Sequence, residues 1–162
     1  MADRIQNIED RLQKLEDIEE IRRLRMRYHV FINEGFFDRF PELFLEDALV
    51  DFSYIGQAKG HAEIRELFLR IPRNLDLVVQ FIHNHVVDVD GDEATGLSFL
   101  DARYAQDGES VMLAAKFDEI YRRTPAGWRI GELHLHLYFM APITAKGWAG
   151  KQTNMVNPLA RT

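Results

Sequence analysis

The chain of 162 residues contains no cysteine, which rules out disulfides, thiolate metal sites and a thiol nucleophile. No apolar run approaches the roughly 20 residues that a membrane-spanning helix needs, so no membrane is expected as a partner. There is no internal repeat and no low-complexity tract. Positive charge is in deficit: 20 Lys and Arg stand against 26 Asp and Glu, a net charge of -6. A polyanion is held by a basic field, so no nucleic acid is expected either. The opening residues Met1 to Gln6 lack the apolar core of a signal peptide, and a cytoplasmic location is the expectation. Ser53, Ser98 and Ser110 sit in no nucleophile-elbow motif, and Gly91 and Gly96 belong to a hairpin rather than a phosphate-cradling loop.

What is present is the composition of an ordinary globular domain, 46% hydrophobic and 28% charged, in a chain long enough for one sizeable core. Ile5, Ile8, Leu12 and Leu15 recur at 3-4-3 spacing and predict a helical extension over residues 1–14. That seam is too short for a coiled coil on its own, so an arm packed on its own domain is the expectation, with a subunit contact as the alternative. The stripe Ile18, Ile21, Leu24, Tyr28 and Phe31 predicts a helix over 15–34 that lies on a sheet and ends at Gly35. A short helix with Pro41 near its start covers 40–45, and Glu46-Asp47-Ala48 reads as a turn feeding a strand over 49–54. A third helix runs over 61–69 and is stopped by Pro72.

From Leu77 onward the pattern changes. Four strands, over 77–89, 94–105, 111–123 and 128–140, alternate with turns at Asp90-Gly91-Asp92, Asp107-Gly108 and Pro125-Ala126-Gly127. Three helices followed by an antiparallel meander give an α+β fold. One domain is expected over residues 1–141. The remainder, 142–162, with Trp148 as its early large apolar residue, is either a disordered end or a cover for a pocket or a neighbouring subunit.

Several pieces in this order carry a resemblance. They are the entry Leu15-Glu16-Asp17-Ile18-Glu19-Glu20-Ile21, Tyr28, Glu46-Asp47-Ala48, Gly60-His61, the stretch from Asp90 to Gly96, and Tyr121 to Ile130. The chain resembles the SnoaL-like, polyketide-cyclase and dehydratase-like branch of the nuclear-transport-factor-2-like superfamily, whose members include bile-acid 7α-dehydratase and hexachlorocyclohexane dehydrochlorinase. The resemblance implies a cone-shaped barrel, with the three helices packed on a strongly curved antiparallel sheet enclosing a pocket. In that family an Asp at the position of Asn33 orients a His that lies four residues before an Asn on the first long strand. Counting back from Asn84 gives Gln80, so both members of the pair are carboxamides here, and neither can take a proton near neutral pH. A register shifted by three residues would put His83 there instead.

On a regular strand Gln80, Ile82 and Asn84 share one face, and His83, His85 and Val87 the other, unless a bulge intervenes. His134 and His136 share a face of the last strand with Glu132 and Tyr138. The two His-x-His pairs could chelate a metal, but they have no clear carboxylate third ligand at short spacing and sit on strands that the superfamily order does not make neighbours, so no metal and no cofactor are expected. Tyr28 is either a pocket hydroxyl or a core residue, Tyr54 either a pocket hydroxyl or a strand residue with a wet tip. Asp101 is either an acid with a raised pKa inside the cone or one half of an exposed pair with Arg103.

The functional expectation is a cofactor-free enzyme that moves a proton on a hydrophobic, ring-containing metabolite: a dehydratase or other lyase, an isomerase or a cyclase. Tyr28, Asn33, Gln80, His83 and His85 are the catalytic candidates, and Tyr54, Asn84, Asp101, His134, His136 and Trp148 the substrate-binding ones. The alternative is a non-catalytic binding or dimerising domain of the same fold. A homo-oligomer, dimer or trimer, is expected because the outer sheet face and the N-terminal seam both ask for cover.

Overall fold

Short turns decide how the second half of the chain pairs. Asp107 and Gly108 carry φ of 52° and 78°, the left-handed pair that suits a two-residue hairpin, and Gly91 and Gly127 make the other two reversals at 60° and 93°. The strands they join, β3 (Leu77–Asp90), β4 (Glu93–Gln106), β5 (Glu109–Thr124) and β6 (Gly127–Pro142), therefore lie side by side in sequence order. Ahead of them come α1 (Ala2–Asn33), a 3-10 segment Phe37–Leu43, β1 (Phe44–Asp51), the short β2 (Gln57–Lys59) and α2 (Gly60–Arg70). This computed structural model describes residues 1–143, so the tail and Trp148 lie outside the described residues.

The sheet is six-stranded in the order β2-β1-β6-β5-β4-β3, curled but not closed. Its meander is antiparallel as expected, but β1 joins β6 in parallel, so the sheet as a whole is mixed. The expected turn at Glu46-Asp47-Ala48 lies within β1 instead. It falls in the irregular stretch between Phe44 and Leu49, where the β1–β6 register shifts, so a bulge absorbs the acidic residues.

Helices α1 and α2 and the 3-10 segment pack on the concave face through aromatic rings. Phe40 and Phe68 stack at 3.6 Å and 5°, and Tyr28, Phe31, Phe44 and Phe52 surround them at 5–6 Å in mostly edge-to-face contacts. Where α1 enters the domain, Asp17 is held by both Arg123 amino groups at 2.7 Å and by the Trp128 indole at 3.1 Å. A bidentate guanidinium–carboxylate pair of this kind fixes orientation as well as position. N-terminal to it, the arm does not pack on its own domain: Ile5, Ile8, Leu12 and Leu15 are all more than half exposed.

One irregularity determines which side chains look inward. Between His83 and Val86 the β3–β4 register slips by one residue, and Asn84 sits in the left-handed region at φ 49°. Ahead of the slip the even-numbered residues of β3 face the interior; after it the odd-numbered ones do. Gln80 and His85 thus end on the same face, against strict alternation, while His83 and Asn84 are exposed.

Asn is among the few side chains that accept this backbone conformation. Asn84→Gly is expected to leave the urea midpoint unchanged or slightly raised, whereas Asn84→Val lowers stability by about 1–2 kcal/mol. Equal stability of the two variants would show that the bulge imposes no strain.

Candidate functional site

Between α1 and the concave sheet lies a chamber of about 210 Å³. Ile32, Phe52, Leu100, Ala102, Phe117 and Leu135 supply most of its apolar wall. Since about 150 Å³ suffices for a benzene, the chamber has room for a substituted ring. Five polar side chains reach it: Tyr28, Tyr54, Gln80, Tyr104 and Gln106.

Tyr54 and Tyr104 both donate to the Met140 sulfur, at 3.5 and 3.0 Å. The Gln80 side-chain oxygen is buried with no hydrogen-bond partner among the described residues, and the Tyr28 hydroxyl makes no hydrogen bond among them; both residues line the chamber. Burial raises the pKa of all three phenols, Tyr54 to about 12, so each stays protonated at neutral pH. The polar wall is thus neutral, with the Tyr28 hydroxyl as a donor and the Gln80 and Gln106 carboxamides able to donate or accept.

Gln80 is positioned from two directions. The Asn33 carboxamide clasps its backbone, donating to the carbonyl at 2.9 Å and accepting from the N–H at 2.8 Å. Its side-chain oxygen is buried and lies on the side of His29, a residue one helical turn before Asn33. The His29 ring is 5% exposed, and neither of its nitrogens makes a hydrogen bond of good geometry. Burial and then the nearby Arg25 cation depress its pKa well below 6.5, against Glu119 and then Gln80, which pull the other way. The imidazole is therefore neutral.

Beside this floor is a second polar group, centred on Glu119. One carboxylate oxygen meets Arg25 Nε at 2.8 Å and the Ser98 hydroxyl at 2.6 Å. The other meets His85 Nε2 at 2.9 Å and accepts a short hydrogen bond from the Tyr121 hydroxyl. The rest of the Arg25 guanidinium is covered by the rings of Tyr28 and Phe117, at 4.5 and 4.8 Å, a cation–π arrangement that suits a desolvated cation. Burial works against the carboxylate, but Arg25, His85 and Ser98 outweigh it and bring its pKa to about 2. Gly96 is required for closeness: a Cβ there would stand 2.5 Å from the carboxylate and 2.8 Å from the Tyr121 ring.

The structure brings together Tyr28, Gln80 and, through the backbone of Gln80, Asn33. Tyr54 sits at the chamber rim, about half exposed. His85 is inward but serves Glu119, not the chamber. The remaining expectations are corrected. His83 is exposed at the β3 edge by ordinary alternation, and Asn84 because of the bulge. Asp101 pairs with Arg103 at 3.0 Å on the outer face, since inward positions on β4 are even-numbered. His134 and His136 also face outward, bound to Glu132 at 2.9 Å and Asp118 at 2.8 Å, because the odd residues Leu133, Leu135 and Leu137 fill the interior.

Sequence reasoning missed Arg25, His29, Ser98, Tyr104, Gln106, Glu119 and Tyr121. Two signals were available. Glu119 stands in the buried alternation Val111, Leu113, Ala115, Phe117, Tyr121, and Arg25 and His29 flank the Ile21, Leu24, Tyr28 stripe at i and i+4.

Comparison with known proteins agrees with this architecture. A family model for a SnoaL-like domain matches residues 13–134. The crystal structure of an ntf2-like protein with a cystatin-like fold from Novosphingobium aromaticivorans is 31% identical, covering 90% of this chain and 93% of that one, with a TM-score of 0.74. Hexachlorocyclohexane dehydrochlorinase LinA-type3 from Novosphingobium barchaimii LL02 has the same fold at 19% identity, with a TM-score of 0.72 over 84% of this chain and 94% of that one. An uncharacterised protein of Mycobacterium tuberculosis H37Rv is 29% identical over 121 residues, 72% of this chain and 82% of that protein.

The buried groups set the acid response. His29 is neutral when folded but protonates near 6.5 when unfolded, so its contribution shrinks as pH falls below 6.5. The depressed Glu119 carboxyl stabilises fully above its ordinary value of 4.5, and that contribution is lost as pH falls toward about 2. Urea midpoints measured from pH 7.5 to 3 should fall in both windows, and His29→Leu should remove the upper one. Glu119→Gln leaves Arg25 buried without a counter-charge and is expected to cost about 3–5 kcal/mol. A loss under about 1 kcal/mol would mean the carboxylate is solvated.

Proposed function

The chain belongs to the SnoaL-like domain family, and from that premise we propose that its chamber is the active site of a small-molecule lyase or isomerase acting on an apolar ring compound with an acceptor oxygen. The observation that supports this most is the Tyr28 hydroxyl, free of hydrogen bonds among the described residues, beside the Gln80 carboxamide in a mostly apolar cavity. A carbonyl, ether or hydroxyl oxygen placed on them would be polarised by groups that need no reorganisation. Drawing electron density toward that oxygen acidifies the neighbouring C–H and loosens a C–O bond, the two events that isomerisation and elimination require.

His29 is the proton acceptor in this reading, reached when the Gln80 side chain turns aside, since His29 does not itself line the chamber. Its ring is neutral across the physiological range and lies behind Gln80, the residue at the position where relatives carry their own imidazole. A base with so low a pKa stays unprotonated well below pH 6.5, so the rate should be flat from pH 8 to 6. Tyr54 and Tyr104 border the same space and favour binding of the ring through their faces.

Binding without turnover is a second reading, favoured by the fact that none of the described chamber-lining side chains accepts a proton at neutral pH. Cyclic ketones and the corresponding alcohols, incubated with the protein in D₂O and followed by NMR, separate the two. Deuterium uptake beside the carbonyl, or loss of water from the alcohol, is expected in the wild type. Gln80→Leu should lower kcat on the order of 10²-fold, as loss of a preorganised donor does elsewhere. His29→Phe should abolish the exchange while leaving binding in place. Compounds that bind and neither exchange nor react would establish a binding protein and end the catalytic reading.

A further inference from the structure

The first four turns of α1 bury nothing against the domain: residues 3–16 are all exposed, and Lys14 makes only a surface ion pair with Asp88 at 3.4 Å. Ile5, Ile8, Leu12 and Leu15 form one line on this arm, at 52%, 54%, 53% and 64% exposure. At about 100° per residue, that line lies on the side of α1 opposite the Ile21, Leu24, Tyr28 and Ile32 face that the sheet covers. No rotation of the helix can bury both. A free helix of this length is marginal in water, and four large aliphatic residues gain nothing from solvent.

We propose that this arm pairs in parallel with the same arm of a second copy of the chain, as a short coiled coil. In heptad terms Ile5 and Leu12 occupy a, and Ile8 and Leu15 occupy d. The flanking positions then fall into two kinds: g is Arg4 and Arg11, and e is Glu9 and Glu16. In a parallel pair each g side chain meets the e side chain five residues further along the other helix. Arg4 meets Glu9 of the second copy and Arg11 meets its Glu16, so every contact joins opposite charges. In an antiparallel pair g meets g and e meets e, which sets Arg against Arg and Glu against Glu. The charge pattern selects both the occupant and its direction.

None of these four charges is committed elsewhere: among the described residues, Arg4, Glu9, Arg11 and Glu16 make no ion pair within the chain. The contact can also extend past the arm. Met26 and Val30, each 49% exposed, lie on the same side of α1, beyond the polar layer of Glu19 and Arg22. A parallel pairing is compatible with a symmetric dimer, whose two-fold axis would run along the helices.

The absence of cysteine makes the test direct. Ile8→Cys places one thiol at a d position, where in-register parallel helices bring it against its own copy. Asn7→Cys places it on the far side of the helix. Under mild oxidation Ile8→Cys should form a disulfide-linked dimer and Asn7→Cys should not. Adding Arg4→Glu and Arg11→Glu to Ile8→Cys should slow the cross-linking roughly tenfold, and adding Glu9→Arg and Glu16→Arg to those should restore it. If Ile8→Cys links no faster than Asn7→Cys, or if charge reversal leaves the rate unchanged, the proposal fails. Because the readout is local to the arm, either result holds whatever other surfaces the protein uses to associate.

Discussion

A carboxylate sealed from water must be given partners, and the need to satisfy Glu119 organises the interior. Its four partners come from four elements: Arg25 from α1, His85 from β3, Ser98 from β4 and Tyr121 from β5 itself. Each sets a condition on its own segment. Arg25 fixes the rotation of the helix, His85 requires the bulge that turns it inward, and Gly96 keeps β4 free of a side chain where the carboxylate lies. A buried ion pair adds little net stability over an apolar core, but removing one member is costly. Its role here is alignment: only one arrangement of helix and sheet leaves no charge alone.

The chamber depends on that alignment. With Arg25 held under the Tyr28 ring, the Tyr28 hydroxyl is directed at the cavity and His29 behind Gln80. Two carboxamides occupy the positions where the resemblance implies an Asp and a His, and the chemistry of each change fits the other. An Asp can only accept hydrogen bonds, so it orients an imidazole N–H. Asn offers one donor and one acceptor, which matches a peptide group, and Asn33 does grip the peptide groups of Gln80. In the proposed reading Gln80 then binds rather than carries a proton, and the imidazole beside it, His29, comes from the helix instead of the strand.

Much of the architecture was legible in the chain. Turn residues with left-handed tendencies, alternation in four long segments and a 3.6-residue stripe gave the meander and the helix on it. The parallel strand β1 was less so, because its partner β6 lies some 80 residues away and only the register between them turns an acidic stretch into part of a strand. Tyr28, Asn33 and Gln80 were legible by resemblance. His29 was not, since a histidine beside an apolar stripe looks the same whether it is buried or at the edge, and only the packed sheet decides which.

Composition, periodicity and turn chemistry are local, and by themselves they determined the elements, their order and the opposite faces of α1, one apolar line for the sheet and another left outside. Which β3 side chains face inward was decided by a one-residue slip at Asn84, which turns His85 toward the carboxylate that Glu119 shares with Arg25, 94 positions away in sequence. Charge burial is a property of the assembled interior: the same Glu and Arg on a surface would be solvated and would constrain nothing. Only the tertiary structure removes the water, and with it the freedom of every element that touches the pair.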